Sequence, residues 1–97
     1  MRHCRLDAYV LDTLMPDLVL HDRQPSAFLV YLQLWHRSTG RHGRARISHR
    51  EMAEATGLSK SAAQRAVAWL IRRRLVAMQK KTPTSVPEYT VLTPWIR

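Results

Sequence analysis

Apolar residues recur at helical spacing through the middle of the chain and at a two-residue spacing near its end. Over residues 25–38, Phe28, Tyr31, Leu32 and Trp35 follow the i, i+3, i+4, i+7 rule. Ala27, Val30 and Leu34 widen that stripe, which predicts a helix buried on more than one side. Pro25 suits its first position, where the missing N–H has no helical partner anyway. Ser48-His49-Arg50-Glu51 is a capping box, with hydroxyl and carboxylate each able to satisfy the other residue's free amide. A short helix follows through Met52, Ala53 and Ala55 to Thr56. Gly57 stands where a helix end wants positive φ. Ser59 can cap the next helix, which runs to about Arg73 with Ala63, Val67 and Leu70 on one face.

After Leu75 the period shortens to two. Val76–Lys81 and Glu88–Leu92 read as two strands, with residues 82–87 a turn-rich hairpin tip. The stretch Ser38–Arg44, with Gly40 and Gly43, reads as a loop, and Arg46-Ile47 as a very short strand. Residues 6–20 are apolar but fit two patterns. Ala8-Tyr9-Val10-Leu11 suits a strand, whereas Pro16 followed by Asp17 suits the start of a short helix. Residues 1–24 therefore form an N-terminal extension, short strand or helix, and residues 25–97 the main domain. The fold class is mainly α with a small antiparallel β hairpin.

At 97 residues and 45% hydrophobic content the chain has room for one modest core. Charge adds a partner to this picture. The formal net charge is +9, and residues 41–81 hold eleven bases against Glu51 and Glu54. The four bases and four acids of residues 1–40 cancel, as do Glu88 and Arg97. An excess gathered into one segment points to a polyanion, whereas charge serving only solubility would be scattered. Cys4 is the single cysteine, which excludes an intramolecular disulfide and suits a reducing cytosol. No apolar run approaches the roughly 20 residues of a membrane span. Asp7 and Asp12 interrupt any signal-peptide core. A cytoplasmic protein is expected.

Two helices joined by Gly57-Leu58-Ser59 make a helix-turn-helix. Ala53 is small where the second helix crosses it, and Leu58 plugs the space between the helices. The stretch Ile47–Leu92 resembles the winged helix-turn-helix domains of bacterial transcription regulators. It is most similar to small stand-alone proteins in which a Pro-Ser-Ala-Phe helix, here Pro25–Phe28, precedes the motif. The resemblance covers about residues 24–92 and implies sequence-specific binding of duplex DNA. The family usually has Gly just before the Leu that opens the wing, and here Arg74 stands there. The long dimerisation helices of some such regulators have no counterpart after Leu92.

Taking Ala63, Val67 and Leu70 as inward, the opposite face carries Ser61, Gln64, Arg65, Ala68 and Arg72, with Ser59 and Lys60 at the helix start and Trp69 at a margin. Gln64 can pair bidentately with adenine and Arg65 with guanine. Arg72 and Arg73 suit phosphates, or equally the negative end of the helix. Lys80 and Lys81 lead into the wing, where they suit DNA or protect an edge strand. Trp69 covers the wing or meets a partner chain. A homodimer is expected, because one such domain reads only a short half-site. Its candidate contacts are Ala8–Leu11 with Leu14, and Pro94-Trp95-Ile96.

Catalysis and cofactors are not expected. Cys4 with His3, His21, His36, His42 and His49 offers no zinc-site spacing, so no metal is assigned, and the histidines read as surface groups or neighbours of phosphates. Nothing places a nucleophile beside a base. Gly40-Arg41-His42-Gly43-Arg44 lacks the Lys-Ser/Thr ending of a phosphate-cradling loop. The function expected is duplex DNA binding in transcriptional regulation. The alternatives are a replication-initiation or partition protein of a mobile element, and a protein–protein adaptor on the same scaffold.

Overall fold

A computed structural model describes residues 3–38 and 43–96. Three α-helices, α1 (Pro25–Ser38), α2 (His49–Thr56) and α3 (Lys60–Arg72), combine with three strands, β1 (Arg44–Arg46), β2 (Val76–Gln79) and β3 (Glu88–Val91). The strands form one antiparallel sheet in the order β1-β3-β2. Residues 39–42 of the expected loop, with Gly40, Arg41 and His42, lie outside the described residues. Ser38 closes α1 and Arg44 already opens β1.

Residues 8–21 are helical, with π-helical turns at Val10–Leu14 and Asp17–His21, so the strand expected at Ala8–Leu11 is replaced. Pro16 precedes the second of these turns and Asp17 lies in its first turn, as expected. Val10, Leu14 and Leu18 recur every four residues, which puts them on one face of a helix. All three are buried in the same core as α1. The hydrophobic effect thus overrides the strand propensity of a short apolar run, since α1 offers a face that a helix can cover. The candidate dimer contacts divide accordingly. Val10 and Leu14 point inward, while Leu11, Met15, Val19 and Leu20 remain exposed. Trp95 stacks on Tyr9 of its own chain, ring centroids 4.4 Å apart.

Helix α1 is central. Ala27, Phe28, Val30, Tyr31, Leu34 and Trp35 are all buried, whereas Leu32, on the predicted stripe, is only half-buried. The reason is that α1 is covered from several sides, by α3, α2, β3 and the N-terminal segment. Its polar atoms are satisfied across those contacts. Tyr31 Oη donates to the Leu92 carbonyl at 2.9 Å, Trp35 Nε1 to the Arg5 carbonyl at 2.6 Å, and Gln33 Nε2 to the Ala55 carbonyl at 3.2 Å. Burial raises the Tyr31 hydroxyl pKa, so it stays a donor across the ordinary pH range.

The capping box forms as expected. Glu51 N–H donates to Ser48 Oγ at 3.1 Å, and Ser48 N–H to the Glu51 carboxylate at 3.3 Å. Gly57 takes φ 78°, and a Cβ there would meet nothing within 4 Å. Glycine is therefore favoured by backbone conformation and not by crowding.

Helix α3 ends in a double hydrogen bond. Leu75 N–H reaches back to the Leu70 carbonyl at 2.9 Å and Arg74 N–H to the Ile71 carbonyl at 3.0 Å. This is the Schellman pattern, whose left-handed position usually holds glycine. Here it holds Arg74 at φ 57°. The cost of a side chain in that conformation is about 1–2 kcal/mol. Arg74→Gly should accordingly raise stability by about 1 kcal/mol in a denaturant titration. A fall would show that the exposed arginine makes a compensating contact.

Strand β2 stops at Gln79, two residues before the expected end. The register pairs Gln79 with Glu88, so Lys80 would face Pro87, which has no N–H to continue the ladder. Strand β3 stops one residue early, at Val91, although Leu92 N–H still bonds the Leu75 carbonyl at 2.9 Å. Strand β1 starts two residues before the expected Arg46 and gains an unforeseen partner, pairing Arg44 with Thr90 and Arg46 with Glu88.

A candidate nucleic-acid interface on helix α3

Helix α3 is amphipathic because Ala63, Ala66, Val67 and Leu70 follow the helical repeat on one side only. Ala63, Ala66, Val67 and Leu70 are buried, and Ser61, Gln64, Arg65, Ala68 and Arg72 are all exposed on the other side. Lys60 is exposed at the start of the helix. The sequence of α3 contains no carboxylate, so nothing on the helix itself offsets these cations. Ser59 is exposed, but its Oγ is engaged in the cap and accepts from the Ala62 N–H at 3.1 Å. Lys80 and Lys81 are exposed just beyond the end of β2, at the base of the hairpin tip.

The hairpin tip and the N-terminal ends of α2 and α3 enclose a cleft lined by His49, Lys60, Gln64 and Lys80, among others. This cleft brings Lys80 together with α3, although the two are far apart in the chain. His49 Nδ1 lies 3.5 Å from Gln64 Nε2. Partial burial, with Lys80 and Lys60 nearby, holds the His49 pKa below the ordinary imidazole range. Sequence reads His49 with the other histidines as a surface group or a neighbour of phosphates, without singling it out. Its position immediately after the Ser48 cap was the available signal, since it places the ring at a helix start.

At the other end of α3, where Arg72 and Arg73 suit phosphates or equally the negative helix end, the structure separates the two arginines. Arg73 does not face outward beside Arg72. Its Nη2 bonds Asp17 Oδ2 at 2.8 Å, and its Nη1 bonds Asp22 Oδ2. Trp69 Nε1 donates to the same Asp22 oxygen at 2.8 Å, which ties its indole to the N-terminal segment. The Asp22 side chain is only 4% exposed. Burial alone would raise its pKa, but hydrogen bonds with His21 and Trp69 and the charge of Arg73 bring it below the ordinary carboxylate range. Both partners are supplied by the N-terminal segment, which sequence left as an extension. Arg72 stays exposed, with its guanidinium 5.8 Å from the Trp69 ring centroid in a cation–π arrangement.

Asp17, His21 and Asp22 also bring three ligand-type atoms within 4.8 Å. Arg73 already occupies both carboxylates, so its charge competes with any cation there. Among the described residues, no helix is long and apolar enough to cross a membrane. Comparison with models of known protein families, with characterised proteins and with solved structures finds no match to this chain.

Proposed function

We propose that this chain is a winged helix-turn-helix protein that binds duplex DNA sequence-specifically and regulates transcription. In this reading α3 enters the major groove and the β2–β3 hairpin is the wing. The observation that carries it is the outward face of α3. It presents Gln64, Arg65, Ala68 and Arg72 to solvent and is continuous through the His49 cleft with Lys80 on the hairpin. Gln64 and Arg65 have the donor and acceptor sets to read adenine and guanine edges. A protein–protein adaptor would present an apolar or mixed-charge patch instead.

The test is titration of a duplex library and of a selected site at increasing salt. About six phosphate contacts give a slope near −5 in log affinity against log salt. Selection from random duplexes should enrich one short consensus. Affinity that stays flat with salt, or a pool that shows no enrichment, refutes the reading.

The His49 cleft adds a pH dependence. In the free protein His49 is neutral near pH 7, because its pKa lies below the ordinary value. A phosphate in the cleft would favour the charged ring, so binding takes up a proton. Affinity then rises as pH falls below about 7. Lys60 and Lys80 face the ring from α3 and the hairpin, and Arg50 and Glu51 adjoin it on α2. His49→Gln should flatten the profile, and a wild-type profile already flat would remove the ring from the interface.

A further inference from the structure

The β2–β3 hairpin separates two basic surfaces, and the second has no part in the reading above. On the far side of the hairpin from α3, a cleft of about 490 Å³ is lined by Arg46, Lys80, Lys81 and Glu88, among others. Beyond it a broader groove of about 720 Å³ is lined by His36, Arg37, Arg44 and Arg46. Lys80 borders both the His49 cleft and the first of these, and Arg46 borders both of these. The three hollows are therefore neighbours, running from α3 around the hairpin base to the β1 edge of the sheet, where that strand meets α1 and α2. Glu88 is the one carboxylate among the described residues lining them.

The sheet register explains why the arginines gather there. Arg44 and Arg46 are two residues apart on β1, so they share a face. The alternate residue Ala45 is turned into the core, 7% exposed. Glu88 pairs with Arg46 across the strands and lies 3.6 Å from its guanidinium and 3.9 Å from that of Arg44. One acid thus holds two guanidiniums side by side. Their side chains remain 56% and 71% exposed. Arg37 at the end of α1 adds a third exposed cation.

We propose that bound duplex DNA does not end at the hairpin but bends around it, laying its phosphate backbone along the β1 edge of the sheet against Arg37, Arg44 and Arg46. The inference rests on the duplex-binding reading of α3 and extends its footprint. A polyanion with evenly spaced charges suits the surface, because the cations are exposed, follow one another along a continuous path and outnumber the acid. The bend draws the flanking duplex toward the protein, and the energy of bending is offset by the added phosphate contacts.

The test compares the wild type with the Arg44→Gln/Arg46→Gln double variant on two duplexes sharing one selected site. One is about 12 base pairs long, little more than a helical turn, and the other about 30. On the long duplex the variant should lose at least about tenfold in affinity at low salt, and its log–log salt slope should shrink by about two. On the short duplex it should match the wild type. Fluorescence transfer between the ends of the long duplex should rise on binding wild type and rise less with the variant. Thermal melts check that the variant stays folded. Equal affinities for the two proteins on both duplexes would overturn the wrapped path. An equal loss on both would also overturn it, by placing these arginines at the α3 contact. A wild type that binds neither duplex would instead refute the function proposed for α3 itself.

Discussion

Leu18→Ala is expected to cost about 2–5 kcal/mol of folding stability, as much as Leu70→Ala. The two residues lie far apart in the chain but belong to one core, and each is 0% exposed. Leu70 is the inward anchor of α3, and Leu18 the inward anchor of the N-terminal helical segment. Removing either side chain exchanges apolar contacts for a cavity that α1, packed on both sides, cannot readily close. For a chain of this length each kcal/mol lowers the melting temperature by about 4–8 °C, so each variant should melt about 10–40 °C lower. The Leu18 result is the discriminating one. An N-terminal extension that merely decorates the main domain would tolerate Leu18→Ala with almost no change. An extension folding separately would produce two transitions. A single transition, shifted as far as that of Leu70→Ala, means that residues 8–22 and the α3 domain fold together. Leu20→Ala, in the same segment but 76% exposed, is the control and should melt within a few degrees of the wild type.

What sequence could and could not disclose follows from the range of the interactions. The Ser48–Glu51 capping box, the Ser59 cap and the left-handed Gly57 are closed within four residues, so local spacing announces them. The inward and outward faces of α3 were equally legible, because a 3.6-residue period assigns both at once. The N-terminal segment was not. Its buried residues recur at Val10, Leu14 and Leu18, but the adjoining Tyr9, Leu11, Met15 and Val19 are apolar too and blur the period. The third strand was legible only in part: Arg46-Ile47 reads as a very short strand, but its start at Arg44 and its pairing with β3 are set by contacts distant in the chain. Arg73 shows the limit most plainly. Its neighbour Arg72 faces solvent, as expected, while Arg73 is claimed by Asp22 and Asp17, 51 and 56 residues earlier in the chain. No local rule distinguishes the two arginines. The same distance effect hid the His49 cleft, where α2, α3 and the hairpin meet only after folding.

Arg65→Ala should separate reading a sequence from holding a backbone. Arg65 is exposed near the middle of the α3 face, beside Gln64, and borders a shallow groove with Ala68 and Arg72. Small Ala68 leaves room for a base pair to approach between the longer side chains. If α3 lies in the major groove, the Arg65 guanidinium reaches a guanine edge. Its loss then costs about 1–3 kcal/mol on the selected site and much less on random duplex, so the specificity ratio falls. Lys81 is placed differently. It follows the end of β2, and in the same docking its hairpin would reach only phosphates or the minor groove. Lys81→Ala should weaken selected and random duplexes alike and reduce the salt slope by about one. Neither side chain faces the core, so both variants should melt like the wild type. The measurement is paired titration of each variant against the selected and a scrambled duplex at two salt concentrations. Equal losses for Arg65→Ala on the two duplexes would mean that α3 holds the backbone and does not read bases. No loss for Arg65→Ala, with site preference abolished by Lys81→Ala, would move the reading to the hairpin. The Arg44→Gln/Arg46→Gln variant provides an internal check, because it should resemble Lys81→Ala in lowering affinity without altering sequence preference. If it changed preference as Arg65→Ala does, the β1 edge would be in contact with bases and the division between a reading helix and holding flanks would be wrong.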